Sequence, residues 1–284
     1  MINPLNLLKA VLFGIVEGIT EWLPISSTGH MILLNEFVKL DVTPEFYSMF
    51  EVVIQLGAIL AVVVLFWDRL WPFKLREVNP RGKGPLRHVD MGIIDMWLKI
   101  IIACLPAAII GITLGDFFES IFYNPYCVAI ALIVFGVGFI VVENRNKGKQ
   151  PRITKISTMS GATAVKIGLW QVIAAVFPGT SRSGTTILGA LMMGVSRTAA
   201  TEFTFFLAIP VMAGASLLKL IKFGFHFQFI EVLILLIGMV TAFATSLFVI
   251  RAVLDYIKTH DFKIFGYYRI ALGILVLAFF LVFR

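Results

Sequence analysis

The chain has 284 residues, of which 59% are hydrophobic and only 14% charged, with a formal net charge of +7 and a mean hydropathy of +0.93. That balance excludes an ordinary water-soluble domain and points to an all-α polytopic membrane protein. Nor is the positive charge a nucleic-acid footprint, because the lysines and arginines sit in blocks between apolar runs, where loops joining transmembrane helices collect them. The two cysteines, Cys104 and Cys127, lie in apolar segments and supply neither a disulfide framework nor a metal-ligand spacing.

From the N-terminus, the stretch MINPLNLLKAVLFGIVEGITEW makes a poor signal peptide. Its only early basic residue is Lys9, Glu17 interrupts its apolar region, and no small-x-small cleavage site follows. It reads as part of the mature protein. Segment 5–34 is long and apolar but broken by Pro24-Ile25-Ser26-Ser27-Thr28-Gly29. Runs at 46–67, 97–115 and 126–143 follow, each long enough to cross a bilayer. A second broken segment, 164–194, is interrupted by Pro178-Gly179-Thr180-Ser181-Arg182-Ser183-Gly184, and three more spans lie at 203–221, 230–250 and 267–283. Each half of a broken segment is too short to span. The pattern predicts two re-entrant helical hairpins with polar tips, because irregular backbone at membrane depth needs protein or water around it.

The broken segments align at an offset of 154, which sets Gly14 on Gly168, Glu17 on Gln171, Pro24 on Pro178 and Ser27 on Ser181. The expected architecture is a single integral membrane domain of two repeats, 1–145 and 160–284, each a hairpin followed by three spans. Three is odd, so the second copy enters upside down, giving an inverted-topology repeat of six transmembrane helices plus two re-entrant hairpins. Loops 68–96, 144–166 and 251–266 carry the basic residues, Arg81 and Lys83 among them, whereas loop 116–125 has Asp116 and Glu119 and no basic residue. With the basic loops inside, both termini face out.

Glu17 and Glu21 are four apart and share one face of the first half-helix. Their repulsion calls for a cation, a shared proton or a facing arginine, unless both merely sit at the wet end of a helix. Ser26 or Ser27 caps the second half-helix, whose N-terminus is then a ready anion site. His30 falls three residues after Ser27, so a helix puts the pair on one face, the minimal arrangement for activating a nucleophile. The plainer alternative is a capping serine and a histidine bonded to a nearby carbonyl. In the second tip, Arg182 is a permanent cation among Thr180, Ser181, Ser183, Thr185 and Thr186, a composition suited to phosphate oxygens. Gly179 and Gly184 have P-loop spacing, but Thr185 stands where lysine is needed and no strand precedes the loop. Facing tips would supply the nucleophile, base and oxyanion stabiliser for phosphoryl transfer to water, on a phosphate ester that is itself membrane-borne.

At these residues the chain closely resembles the undecaprenyl-diphosphate phosphatase family, the bacterial bacitracin-resistance proteins. The ExxxE segment stands at Glu17–Glu21 and PGxSRSxxT at Pro178–Thr186; SSTGH at 26–30, GVSR at 194–197 and the stretch from Phe50 add to the match. The resemblance implies a multi-pass protein of the bacterial cell membrane that hydrolyses the C55 isoprenyl diphosphate to the monophosphate and phosphate. That reaction recycles a lipid carrier for cell-wall synthesis, with the site opening to the extracytoplasmic side. It implies Glu17, Glu21, Ser27, His30 and Arg182 as the catalytic core, with Ser26, Thr28, Ser181, Ser183 and Thr186 binding the diphosphate. It also implies a divalent cation, Mg²⁺ or Ca²⁺, on Glu17 and Glu21.

On this reading Ser27 attacks the terminal phosphorus while His30 or a glutamate takes its proton; His30 as nucleophile and direct attack by water are the variants. The expected partners are the polyprenyl diphosphate lipid and the bilayer, with no nucleic acid, and a homodimer is left open. A secondary transporter or lipid flippase is the rival class, since inverted repeats with broken helices suit carriers too. Two-histidine lipid phosphatases are excluded, because His88, His226 and His260 lie in predicted loops without the needed arginine and aspartate context.

Overall fold

In a computed structural model, residues 4–283 are described except Glu77, Pro80, Arg81, Lys83 and Phe225. The expected inside charges Arg81 and Lys83 therefore lie outside the described residues. The first broken segment forms α1 (Pro4–Thr20) and α2 (Ser27–Phe37), and the second forms α8 (Gly161–Val176) and α9 (Arg182–Met192). Between them run α3 (Pro44–Val53), α4 (Gln55–Leu65), the single turn α5 (Trp67–Leu70), α6 (Met91–Phe122) and α7 (Pro125–Asn146). The chain closes with α10 (Arg197–Phe223), α11 (Phe229–Thr259) and α12 (Lys263–Phe283). Among the described residues there is no strand, only two isolated bridges. Among the described residues six helical stretches are long and apolar enough to cross a membrane, at the six expected places. The protein is a multi-pass all-α membrane protein.

Helix starts follow from side-chain caps that satisfy otherwise orphaned N–H groups. Thr43 with Pro44 opens α3, Asp90 opens α6, Asn124 with Pro125 opens α7, and Ser160 and Ser196 open α8 and α10. Two expectations need correction. The span at 46–67 is interrupted at Ile54, where Gly57 N–H turns to the Ile54 carbonyl. Gly57 there lies so close to α11 that a Cβ would meet the Met239 carbonyl oxygen at 2.0 Å. Asp116 and Glu119, expected in a loop, belong to the last turns of α6 and pair with Lys222 and Lys219 of α10. Ion pairing to a neighbouring helix lets α6 run past its apolar window.

Packing is reciprocal. Helix α1 lies on α11 and α8 lies on α6, while α7 and α12 pack along each other. These approaches are close because glycines form the contacts. A Cβ on Gly14 would meet the Gly238 carbonyl at 2.6 Å, and one on Gly168 the Ala103 carbonyl at 2.2 Å. Small residues are what bring helices together when lipid removes the hydrophobic incentive to associate. The largest core cluster, including Trp22, Phe139, Phe203, Phe205 and Phe206, joins residues of α4 and α6–α11 and takes in Trp22 of the first tip.

Gly57→Ala and Gly168→Ala should each lower the thermal unfolding midpoint in detergent, as overpacking costs about 1–3 kcal/mol. Gly111→Ala, with nothing within 4 Å of the added carbon, should not. Equal midpoints for all three would contradict the close helix approaches.

Candidate active site

The two tips have the same cap chemistry. Ser26 and Ser181 both adopt left-handed backbone, with φ of 73° and 69°, and both side chains accept the N–H three residues on, from Gly29 and Gly184. Non-glycine residues enter this region at a cost, so its occurrence at both tips marks geometry imposed by the surroundings. Ser181 is therefore the counterpart of Ser26, one residue out of the expected register that set it on Ser27. Ser26 rather than Ser27 is the cap, which leaves the Ser27 hydroxyl free.

That hydroxyl donates to Glu21 Oε2 at 2.8 Å. The other oxygen, Oε1, takes Arg182 Nη2 from the opposite tip at 3.0 Å, and Arg182 Nη1 holds the Thr204 carbonyl at 2.9 Å. Arg182 and Glu21 side chains are 12% and 8% exposed, so the pair is poorly screened and strong. Sequence reasoning placed these three residues together, but it gave Ser27 the wrong neighbour. His30 Nδ1 contacts the Ser26 carbonyl at 2.7 Å and so carries the proton; Nε2 accepts from Tyr268 Oη at 2.7 Å. The Tyr268 ring stacks on the imidazole. The expected Ser27–His30 pair is not formed, because the i to i−4 carbonyl bond to Ser26 holds the imidazole toward α12.

Glu17 is fully buried, and neither of its carboxylate oxygens has a protein partner. Together with Ser27 and Thr28 it lines a cavity of about 250 Å³, whose wall also includes Glu51, Tyr123 and Lys219. Tyr123 Oη donates to Glu51, while Lys219 Nζ donates to Ser48 and Glu119. The motif search missed this wall, although Glu51 and Lys219 could have been flagged as charges inside apolar spans. The remaining expected binding residues do not line the cavity. Ser183 Oγ donates to the Glu21 carbonyl, Ser181 and Ser183 hydroxyls meet at 3.1 Å, and Thr186 is spent on Arg182, Ser183 and Thr204. Ser183 thus ties the tips together, Thr186 ties the second tip to α10, and the Ser26 and Ser181 hydroxyls are occupied as caps.

Would a divalent cation fit? The unpartnered Glu17 carboxylate, buried beside Glu51, is a donor set that needs positive charge, and a hard cation suits it. Glu21 does not fit that role, since Ser27 and Arg182 take both its oxygens. Among the described residues no group of three His, Cys, Asp or Glu could hold a metal alone.

Arg269 of α12, absent from the motif reading, is fully buried and clamps both tips. Its guanidinium donates to the Pro24 carbonyl at 3.1 Å on one tip and to Gly179 and Thr180 carbonyls at 3.1 and 2.8 Å on the other. These carbonyls follow the C-termini of α1 and α8, the negative ends of those helix dipoles. Gly184 is glycine because a Cβ would come within 2.7 Å of Arg269 Nη1, and Gly179, at φ 90°, lies against the Val128 backbone. The P-loop-like spacing of the two glycines thus has separate steric causes. An arginine in an apolar span was the available signal.

Several known proteins match the chain. The family model of bacitracin resistance protein BacA covers residues 10–275. A Clostridium acetobutylicum protein named undecaprenyl-diphosphatase 1 is 59% identical over 278 residues, 98% of each chain. An undecaprenyl-diphosphatase of Desulfitobacterium hafniense is 58% identical, covering 97% of this chain and 96% of its own. One of Enterococcus faecalis is 53% identical over 96% of both.

Arg269→Gln should destabilise the protein by at least about 2 kcal/mol, because it leaves buried tip carbonyls without donors, and should abolish catalysis. Calorimetry in detergent checks this; an unchanged midpoint would show that the tips hold without the clamp.

Proposed function

The chain belongs to the BacA family of bacitracin resistance proteins, and on that premise we propose that it hydrolyses undecaprenyl diphosphate to undecaprenyl phosphate and inorganic phosphate. The reaction recycles the lipid carrier for cell-wall synthesis and confers bacitracin resistance. The observation that carries this reading is the Ser27 hydroxyl, aligned on a carboxylate at 2.8 Å in a residue that lines the cavity.

Ser27 Oγ attacks the terminal phosphorus and gives its proton to Glu21. The Oγ–P bond forms as the bond from phosphorus to the bridging oxygen breaks, and undecaprenyl phosphate leaves. Water then attacks the phosphoserine, returning the proton to Ser27 and releasing phosphate. Arg182 holds Glu21 in the resting site; once its guanidinium turns to the diphosphate, the carboxylate is freed to act as base. Thr28 and Lys219 are the cavity groups that reach phosphate oxygens, and the N-termini of α2 and α9 favour negative charge. His30 orients the first tip through Ser26 and Tyr268. A divalent cation, Mg²⁺ or Ca²⁺, on Glu17 would neutralise charge as the diphosphate enters a cavity already holding carboxylates.

The halves 1–145 and 160–284 are read as an inverted repeat in one membrane domain, α1–α2 and α8–α9 being re-entrant hairpins. The reciprocal packing of α1 on α11 and α8 on α6 supports it. With basic loops cytoplasmic, the site opens to the extracytoplasmic face of the bacterial plasma membrane.

Purified protein in detergent should release phosphate from undecaprenyl diphosphate without any membrane gradient. Ser27→Ala should cut turnover at least about a thousandfold and His30→Asn far less. Near-normal turnover of Ser27→Ala would remove serine as the nucleophile. Separately, Glu17→Gln should raise the Mg²⁺ or Ca²⁺ concentration for half-maximal rate at least about tenfold. An unchanged cation requirement would place the ion elsewhere.

A further inference from the structure

The GVSR run at 194–197 takes no part in the site above. It lies at another end of the bundle, where α7 and α9 finish and α8 and α10 begin. Gly194 has φ of 78°, and its carbonyl accepts from both Arg152 and Ile153 N–H. Val195 bridges Ile153, and Ser196 N–H donates back to the Ile153 carbonyl. Asn146 Nδ2 holds the Leu191 carbonyl at 3.1 Å. The segment after α7 is thus pinned by backbone bonds across the α9–α10 junction instead of trailing as a free loop.

The fold so made lines an open concavity of about 780 Å³. Its lining includes Arg145, Lys149, Arg152, Lys166, Arg197 and Lys258, against the single carboxylate of Glu143. Glu143 is consumed by a two-pronged pair with Arg197 and by the Phe262 N–H, and Lys258 is paired with Asp255. Arg145, Lys149, Arg152 and Lys166 have no acidic partner among the described residues. Four uncompensated cations around one concavity repel one another until an anion sits among them. The N-terminus of the long helix α10, through Ser196, Arg197 and Thr198, adds its positive end to the same wall. Beside the cations lies an apolar wall that includes Val141 and Met192, both more than half exposed. A basic rim with an apolar flank matches a headgroup phosphate with its acyl chains alongside.

We propose that this cavity binds a phosphate-bearing anion, the headgroup of an anionic phospholipid, separately from the catalytic cavity. Free inorganic phosphate shares the chemistry but makes no use of the apolar flank.

The test is native mass spectrometry of the full chain released from micelles doped with phosphatidylglycerol, or with phosphatidylcholine of the same acyl chains. Thermal stability is measured in parallel with millimolar inorganic phosphate. The wild type should retain phosphatidylglycerol over phosphatidylcholine, and Lys149→Gln/Arg152→Gln/Lys166→Gln should lose that preference at least about tenfold while still hydrolysing the lipid diphosphate. Stabilisation by phosphate alone, lost in the same variant, would assign the cavity to the free anion and overturn the lipid assignment. Equal retention of the two lipids by the wild type, with no response to phosphate, would overturn the proposal without reference to the variant. So would a folded variant that binds as the wild type does.

Discussion

A carboxylate buried between two broken helices is the constraint on which this structure turns. Glu21 ends the first half-hairpin where no water reaches it freely, and an unpaired charge there is expensive. Arg182 relieves that cost, but only if the second hairpin tip meets the first. Having used one oxygen on Arg182, Glu21 has the other for Ser27. The Glu21 carboxylate therefore joins one tip to the other and aligns the Ser27 hydroxyl.

The rest of the tip architecture serves that meeting. Backbone at the tips is irregular, so its carbonyls and N–H groups need partners that lipid cannot give. Arg269 supplies donors to the carbonyl-rich ends of both tips, and Ser183 adds a bond from the second tip to the first. The two serine caps take up the positive ends of α2 and α9 while leaving those dipoles directed toward incoming negative charge. Two arginines thus have opposite duties: Arg269 is committed to backbone, whereas Arg182 pairs with a side chain from which an anionic substrate would draw it. The buried Glu17 carboxylate is left without a protein partner on either oxygen, and it is the group around which a cation would complete the charge balance.

Much of this was legible in the sequence, for identifiable reasons. Apolar windows far longer than a soluble core helix gave the six spans, and proline followed by hydroxyl residues gave both tip breaks. Glu21, Arg182 and Ser27 stood out because charge and hydroxyls are costly in such surroundings. The Ser27–His30 pairing did not hold, since helical spacing says which residues share a face but not which partner each prefers. His30 had a backbone carbonyl four residues earlier and Tyr268 from a distant span. The register expected between the two segments slips by one at the tips, where Ser181 answers Ser26 and not Ser27, a difference in backbone path that residue identity does not reveal. Arg269 and the Glu51–Tyr123–Lys219 wall come from spans remote in sequence, where only the presence of polar groups among apolar ones could have drawn notice.

If Glu21 and Ser27 act as one unit, their contributions to turnover are not separable. A double-mutant cycle on kcat with Ser27→Ala, Glu21→Gln and the combined variant measures this directly. The combined variant should be about as slow as Ser27→Ala alone, because a base without its nucleophile has nothing left to lose. Losses that multiply in the combined variant would contradict the shared-carboxylate account.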